Sequence, residues 1–125
     1  MKKIIFILLA LTIFLVGCSC QDCNVMNTKQ LFLSKESYLN QEIQIEVTPQ
    51  VYKKLCTHQL CPEEEPCCNS CSAQLSINYN EEIIPIIGTT CSGNNCELSC
   101  EPIKQNQEKI IKGKLTEAGF EVSDE

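Results

Sequence analysis

Cysteine is the side chain most able to do chemistry in this chain, with 11 among 125 residues. Two pairs have Cys-x-x-Cys spacing: Cys20-Gln21-Asp22-Cys23 and Cys68-Asn69-Ser70-Cys71. Such pairs become reactive when a helix N-terminus or a nearby cation lowers a thiol pKa. Neither pair lies in a strand–helix–strand pattern, and the carboxylate of Asp22 would raise a neighbouring thiol pKa. A second chemistry is soft-metal ligation. Cys56, His58, Cys61, Cys67, Cys68 and Cys71 offer donors suited to Zn or Cu(I). A strong zinc signal would pair Cys68-x-x-Cys71 with a second Cys-x-x-Cys in this cluster, whereas its other gaps are four and five residues. The third chemistry, disulfide formation, depends on where the chain resides.

Other reactive types are sparse. His58 is the one histidine and reads as a solvated loop residue. Glu63-Glu64-Glu65 would attract Ca²⁺, but consecutive carboxylates do not converge on one ion, so a solvated loop is the better reading. No Ser/His/Asp set, phosphate-cradling glycine loop or carboxylate pair with a defined pocket can be placed. The sequence therefore points to a non-enzymatic protein with no cofactor and no metal.

The first eighteen residues supply the compartment. Lys2 and Lys3 precede an apolar run from residue 4 to residue 16, interrupted only by Thr12. As a helix this run would rise about 20 Å, short of the ~30 Å hydrocarbon core. A cleaved export signal fits better than a permanent span, or than a buried hydrophobic helix. Leu15-Val16-Gly17-Cys18 resembles the lipobox of bacterial lipoproteins, and the resemblance covers these eighteen residues alone. It implies that Gly17 is the last residue removed. Cys18 then carries a diacylglyceryl group on its thiol, with further acylation, such as palmitate, on the new amine. Ser19, in place of the Asp that commonly retains such proteins at the inner membrane, implies an outer-membrane position facing the periplasm. The partner implied is the lipid bilayer, with an envelope protein as a possible second partner. The alternative is a soluble secreted protein whose Cys18 joins a disulfide.

Processing would leave residues 18–125. Loss of Lys2 and Lys3 leaves 8 lysines and no arginine against 16 acids, a net charge of −8. Nucleic acid is excluded as a partner, because that affinity rests on Lys and Arg. Setting Cys18 aside leaves ten disulfide candidates: Cys20, Cys23, Cys56, Cys61, Cys67, Cys68, Cys71, Cys91, Cys96 and Cys100. An exported chain meets an oxidising compartment, where disulfides persist. The last eight fall into groups of five and three. Both groups are odd, so complete internal oxidation requires at least one bridge between them. Eight cysteines allow 105 pairings, which sequence does not separate.

The elements that must position these cysteines are short strands. Residues 19–28 read as a polar tether, residues 30–34 as a brief strand and residues 35–40 as a turn or one helical turn. Ile43, Ile45 and Val47 alternate with polar residues, the pattern of a half-buried strand. Pro49 demotes its end to an edge or bulge, with Val51 continuing beyond. Residues 56–72 carry two prolines and little apolar content, and read as a long loop stapled by disulfides. Leu75, Ile77 and Tyr79 make a second strand, followed by a turn at Asn80-Glu81-Glu82. Residues 83–87 form an apolar run in which Pro85 favours a sheet edge. Ser92-Gly93-Asn94-Asn95 marks a turn. Ile111, Gly113 and Leu115, a turn at Glu117-Ala118-Gly119, then Phe120 and Val122 form a last hairpin.

The stretch Tyr38-Leu39-Asn40-Gln41 before alternating aliphatics resembles the entry to the first strand of small periplasmic OB-fold proteins, which carry Gly and Lys where Asn40 and Gln41 stand. Ile111-Lys112-Gly113-Lys114-Leu115 resembles a later strand of that fold. The expectation is all-β: a small five-stranded OB-like barrel with disulfide-stapled loops. The divisions are a signal peptide at 1–17, a lipidated tether at 18–29 and a cysteine-rich β-domain at 30–125. The alternative fold is another small disulfide-rich sheet. The alternative function is envelope thiol-redox or Zn/Cu handling.

Overall fold

The computed structural model describes residues 25–123. The proposed signal peptide, Cys18, Cys20 and Cys23 lie outside the described residues. In chain order the elements are β1 (Val25–Asn27), α1 (Thr28–Leu33), α2 (Lys35–Tyr38), β2 (Glu42–Val47), β3 (Gln50–Cys56), β4 (Ser70–Tyr79), β5 (Glu82–Asn94), β6 (Leu98–Glu101), β7 (Lys109–Thr116) and β8 (Gly119–Val122). No helix among the described residues is long and apolar enough to cross a membrane.

The strands form one sheet in the order β1-β2-β7-β8-β5-β4-β3, with β6 added beside β5. β1–β2 and β5–β8 are parallel, and the remaining pairs are antiparallel. The architecture is mostly strand, as the alternating patterns require. The expected count and closure are corrected: there are eight strands rather than five, and the sheet is not closed into a barrel. Two breaks account for much of the difference. Proline lacks an N–H and fixes φ, so Pro49 divides one apolar alternation into β2, which pairs with β7, and β3, which pairs with β4. In β5, the register slips between Ile86 and Cys91, where Gly88 takes φ +85°. Before the slip β5 pairs with β8; after it, with β6.

Two local expectations also change. Residues 30–34 are helix and turn rather than strand. Asn27 caps α1, its side chain accepting from the Gln30 N–H (2.8 Å) while Gln30 Oε1 accepts from the Asn27 N–H (3.1 Å). This reciprocal pair satisfies two donors that a helix start otherwise leaves open. It turns Leu31 and Phe32 into the core. Pro85 does not lie on an edge strand, because β5 has neighbours on both sides. It is tolerated because the β8 ladder covers only Ile86 and Ile87, so Pro85 occupies the position just before that pairing begins. The polar segment preceding the domain enters the sheet at Val25, through the parallel pairing of β1 with β2.

The core is one apolar cluster. Leu31 and Phe32 of α1 meet Ile45, Val47, Leu75, Ile77, Ile84, Ile86, Ile111, Leu115 and Phe120 from the sheet. Each fully buried aliphatic or aromatic side chain contributes roughly 1.5–3 kcal/mol relative to exposure. Phe120 is 0% exposed, and its ring packs over Gly113. A Cβ at residue 113 would stand 2.7 Å from that ring, which is why a glycine occupies this position in β7. The far end of β5, with β6 and the start of β4, extends from this core as an arm. Seven of the eight described cysteines lie on this arm or on the loop between β3 and β4; the eighth, Cys56, ends β3.

Candidate functional site: a disulfide-stapled loop cluster

Among the described residues, the eight cysteines form four bridges: Cys56–Cys71, Cys61–Cys68, Cys67–Cys96 and Cys91–Cys100. Two of them lie in the ladder. Cys56 faces Cys71 in the β3–β4 register, and Cys91 faces Cys100 in the β5–β6 register. Their Cα atoms are 4.0 Å apart, near the ~4.5 Å typical of the closer type of antiparallel cross-strand pair. Cys71, Cys91 and Cys100 are buried, and the last two belong to the core cluster. The other two bridges hold the loop. Cys61–Cys68 closes a separation of 7 residues within it, and Cys67–Cys96 ties it to the β5–β6 turn over 29 residues. Cys67–Cys96 is the bridge that joins the two cysteine groups.

The loop has little apolar content, so polar groups and covalent bonds must order it. Asn69 is at its centre. Its Oδ1 accepts from the Gln59 N–H (2.7 Å) and the Thr57 hydroxyl (3.0 Å). Its Nδ2 donates to the Gln59 carbonyl (3.1 Å) and to Cys61 Sγ (3.2 Å). Its backbone N–H donates to Asn95 Oδ1 (3.0 Å), and its carbonyl accepts from the Asn95 N–H (3.0 Å). Asn95 Nδ2 donates in turn to the Pro66 carbonyl (2.8 Å). Asn94 shapes the neighbouring turn, its Oδ1 accepting from the Cys96 and Glu97 N–H groups at 2.9 and 2.8 Å. Such side-chain-to-backbone bonds replace the ladder that an irregular segment lacks.

The sequence-based site residues sort clearly against this geometry. Cys68 and Cys71, a Cys-x-x-Cys pair, are not bonded to each other but join different partners. The adjacent Cys67 and Cys68 likewise serve separate bridges. His58 and Glu63, Glu64 and Glu65 are exposed. No group of three or more His, Cys, Asp or Glu side chains is arranged to hold a metal ion among the described residues. Nothing in the sequence marks Asn69 or Asn95 as functional. The signal available for Asn95 was its place in a turn-forming run; Asn69 was visible only as a spacer within Cys-x-x-Cys.

A second surface feature lies at the opposite end of the strand order. A groove of about 680 Å³ runs beside β1 and is lined by Val25, Met26, Gln30, Tyr38, Ile43 and Lys112, among others. Lys112 pairs with Glu42 there at 3.1 Å, a half-exposed ion pair worth little in water.

Fold and loop cluster together define a class, the small disulfide-bridged β-sheet domain. No protein-family model matches the chain, and neither a curated protein nor a solved structure does.

Proposed function

We propose that this chain is an exported bacterial envelope lipoprotein, anchored through Cys18, whose β-domain has a non-catalytic binding or structural role. The observation that carries the export half is the use of every described cysteine in a bridge. Such a set persists in an oxidising compartment and is reduced in the cytosol. The Lys2-Lys3 start, the apolar run and Leu15-Val16-Gly17-Cys18 support the same reading from the sequence. Two or three acyl chains anchor firmly, since each buried CH₂ contributes ~0.8 kcal/mol. With no polybasic patch, the lipid is the anchor, and the domain sits in the periplasm on the outer membrane.

The domain reads best as an open, elaborated relative of the OB architecture. β2 and β3, separated by Thr48 and Pro49, act as two halves of one bent strand serving both sides of the sheet. Asn40 takes φ +62° at the place where the OB-fold pattern carries glycine, and asparagine is the residue that best tolerates that region after glycine. The acidic balance argues against the oligonucleotide binding that such folds often perform, so function is not carried over from fold.

Replacement of Cys18 by Ala tests the anchor. The native chain is expected in the detergent phase and labelled by palmitate. The variant is expected to be unlabelled and, wherever its apolar run has been cleaved off, in the aqueous phase. A Cys18→Ala protein that is cleaved yet still partitions with membranes would reject the lipid-anchor reading.

A further inference from the structure

We propose that Cys61–Cys68 is a thiol-exchange site, opened by thiols that carry no carboxylate or other fixed negative charge, with Cys68 as the sulfur attacked and Cys61 as the leaving thiolate. Asymmetry around the bridge assigns the two roles. Cys61 Sγ accepts the Asn69 Nδ2–H at 3.2 Å, and among the described residues no other bridge sulfur accepts a side-chain N–H. Asn69 is itself held by Gln59, Thr57 and Asn95, so its donor is already aimed at the sulfur. In disulfide exchange the leaving sulfur gains a full negative charge, and a fixed donor stabilises that charge more than the neutral bridge. Cys68 has no such donor, so attack there is favoured.

The bridge is also placed for access. Cys61 and Cys68 are half-buried, whereas Cys71, Cys91 and Cys100 of the ladder bridges are buried. Cys67 is half-buried and Cys96 exposed, so access sets both loop bridges apart from the ladder, and the Asn69 donor alone distinguishes Cys61–Cys68 from Cys67–Cys96. Its ring encloses the exposed Glu63, Glu64 and Glu65, which disfavour thiols bearing a fixed negative charge. The same carboxylates oppose charge on either sulfur, so the Asn69 donor is what directs it to Cys61. The enclosed segment is only residues 62–67, flanked by the Cys56–Cys71 and Cys67–Cys96 bridges. Opening it therefore frees one short acidic segment and leaves the sheet intact.

The step balances. An external thiolate attacks Cys68 Sγ, an external S–Cys68 bond forms, and the Cys61–Cys68 bond breaks with its electron pair on Cys61 Sγ. A second external thiol, its proton lost to water, attacks as the thiolate on the external sulfur of the mixed disulfide, and the bond to Cys68 breaks with its electron pair on Cys68 Sγ. The external thiols leave as their disulfide, two electrons have passed to the protein, and Cys61 and Cys68 take protons from water.

The purified full chain, exposed to 2-mercaptoethanol, acid-quenched, alkylated and mapped by peptide mass spectrometry, tests this directly. The expected first product carries 2-mercaptoethanol on Cys68 and the alkyl group on Cys61, with the other bridges closed. An adduct on Cys61, or earlier opening of Cys67–Cys96 or a ladder bridge, overturns the proposal. Asn69→Asp keeps the oxygen that accepts from Thr57 and Gln59 but removes the donor and adds a negative charge. It should slow opening of Cys61–Cys68 by about tenfold or more. An unchanged rate in a variant that retains the other three bridges overturns the role of Asn69. The location of the adduct on the native chain needs no variant and stands if Asn69→Asp fails to fold.

Discussion

The two ends of β5 are held by different forces. Its first half, through Ile84 and Ile86, lies in the apolar cluster with Leu75, Ile77, Leu115 and Phe120. Its second half, residues 90–94, contributes Cys91 to that cluster and otherwise runs out to a region held by bridges and asparagine side chains. The slip at Gly88 divides them. The first region stabilises itself by removing apolar surface from water. The second has too little apolar surface for that, and ordering its backbone costs about 1–2 kcal/mol per residue. Covalent closure offsets this cost by restricting the unfolded chain instead. A small domain can thus carry a long polar loop without enlarging its core.

Substitutions that attack each region separately should break the comparison if it is wrong. The largest effect is expected for Phe120→Ala, which empties a fully buried site over Gly113. It should cost about 3–5 kcal/mol in denaturant unfolding with all bridges intact. Next comes the Cys67→Ser/Cys96→Ser pair. Its separation of 29 residues encloses all of β4 and β5, and loop closure assigns that bridge about 3.6 kcal/mol. The Cys61→Ser/Cys68→Ser pair, with a separation of 7 residues, should cost less, about 2.4 kcal/mol by the same argument. The midpoint of urea unfolding checks the order. Equal costs for the two cysteine pairs, or a Phe120→Ala effect below both, would contradict the division.

The sequence reveals the two regions unequally. Period-2 alternation at Ile43, Ile45 and Val47, and at Leu75, Ile77 and Tyr79, marks the strands of the core directly, because burial on one face leaves that pattern. The parity of the cysteine groups requires a bridge between them, and Cys67–Cys96 is that bridge. The helix at Thr28–Leu33 was hidden because Leu31-Phe32-Leu33 is too short to show a period. The capping pair Asn27 and Gln30 was the stronger signal. The strand count was hidden by Pro49, which splits one apolar pattern into β2 and β3, and by β1 and β6, which are too short to show an alternation. Least visible was the asparagine network. Asn69 acts through Gln59, Thr57, Cys61 and Asn95, contacts that exist only once the bridges bring β3, β4 and the β5–β6 turn together.

Amide hydrogen exchange on the chain carrying serine at Cys61, Cys67, Cys68 and Cys96 tests this division of labour most directly. The ladder bridges Cys56–Cys71 and Cys91–Cys100 remain in that variant. The amides of Gln59, Asn69 and Asn95 should exchange near the unfolded-chain rate, while Ile45, Ile111 and Phe120 in β2, β7 and β8 stay slow. Loss of protection in those three strands to the same extent, or unchanged protection at Gln59, Asn69 and Asn95, would contradict the account.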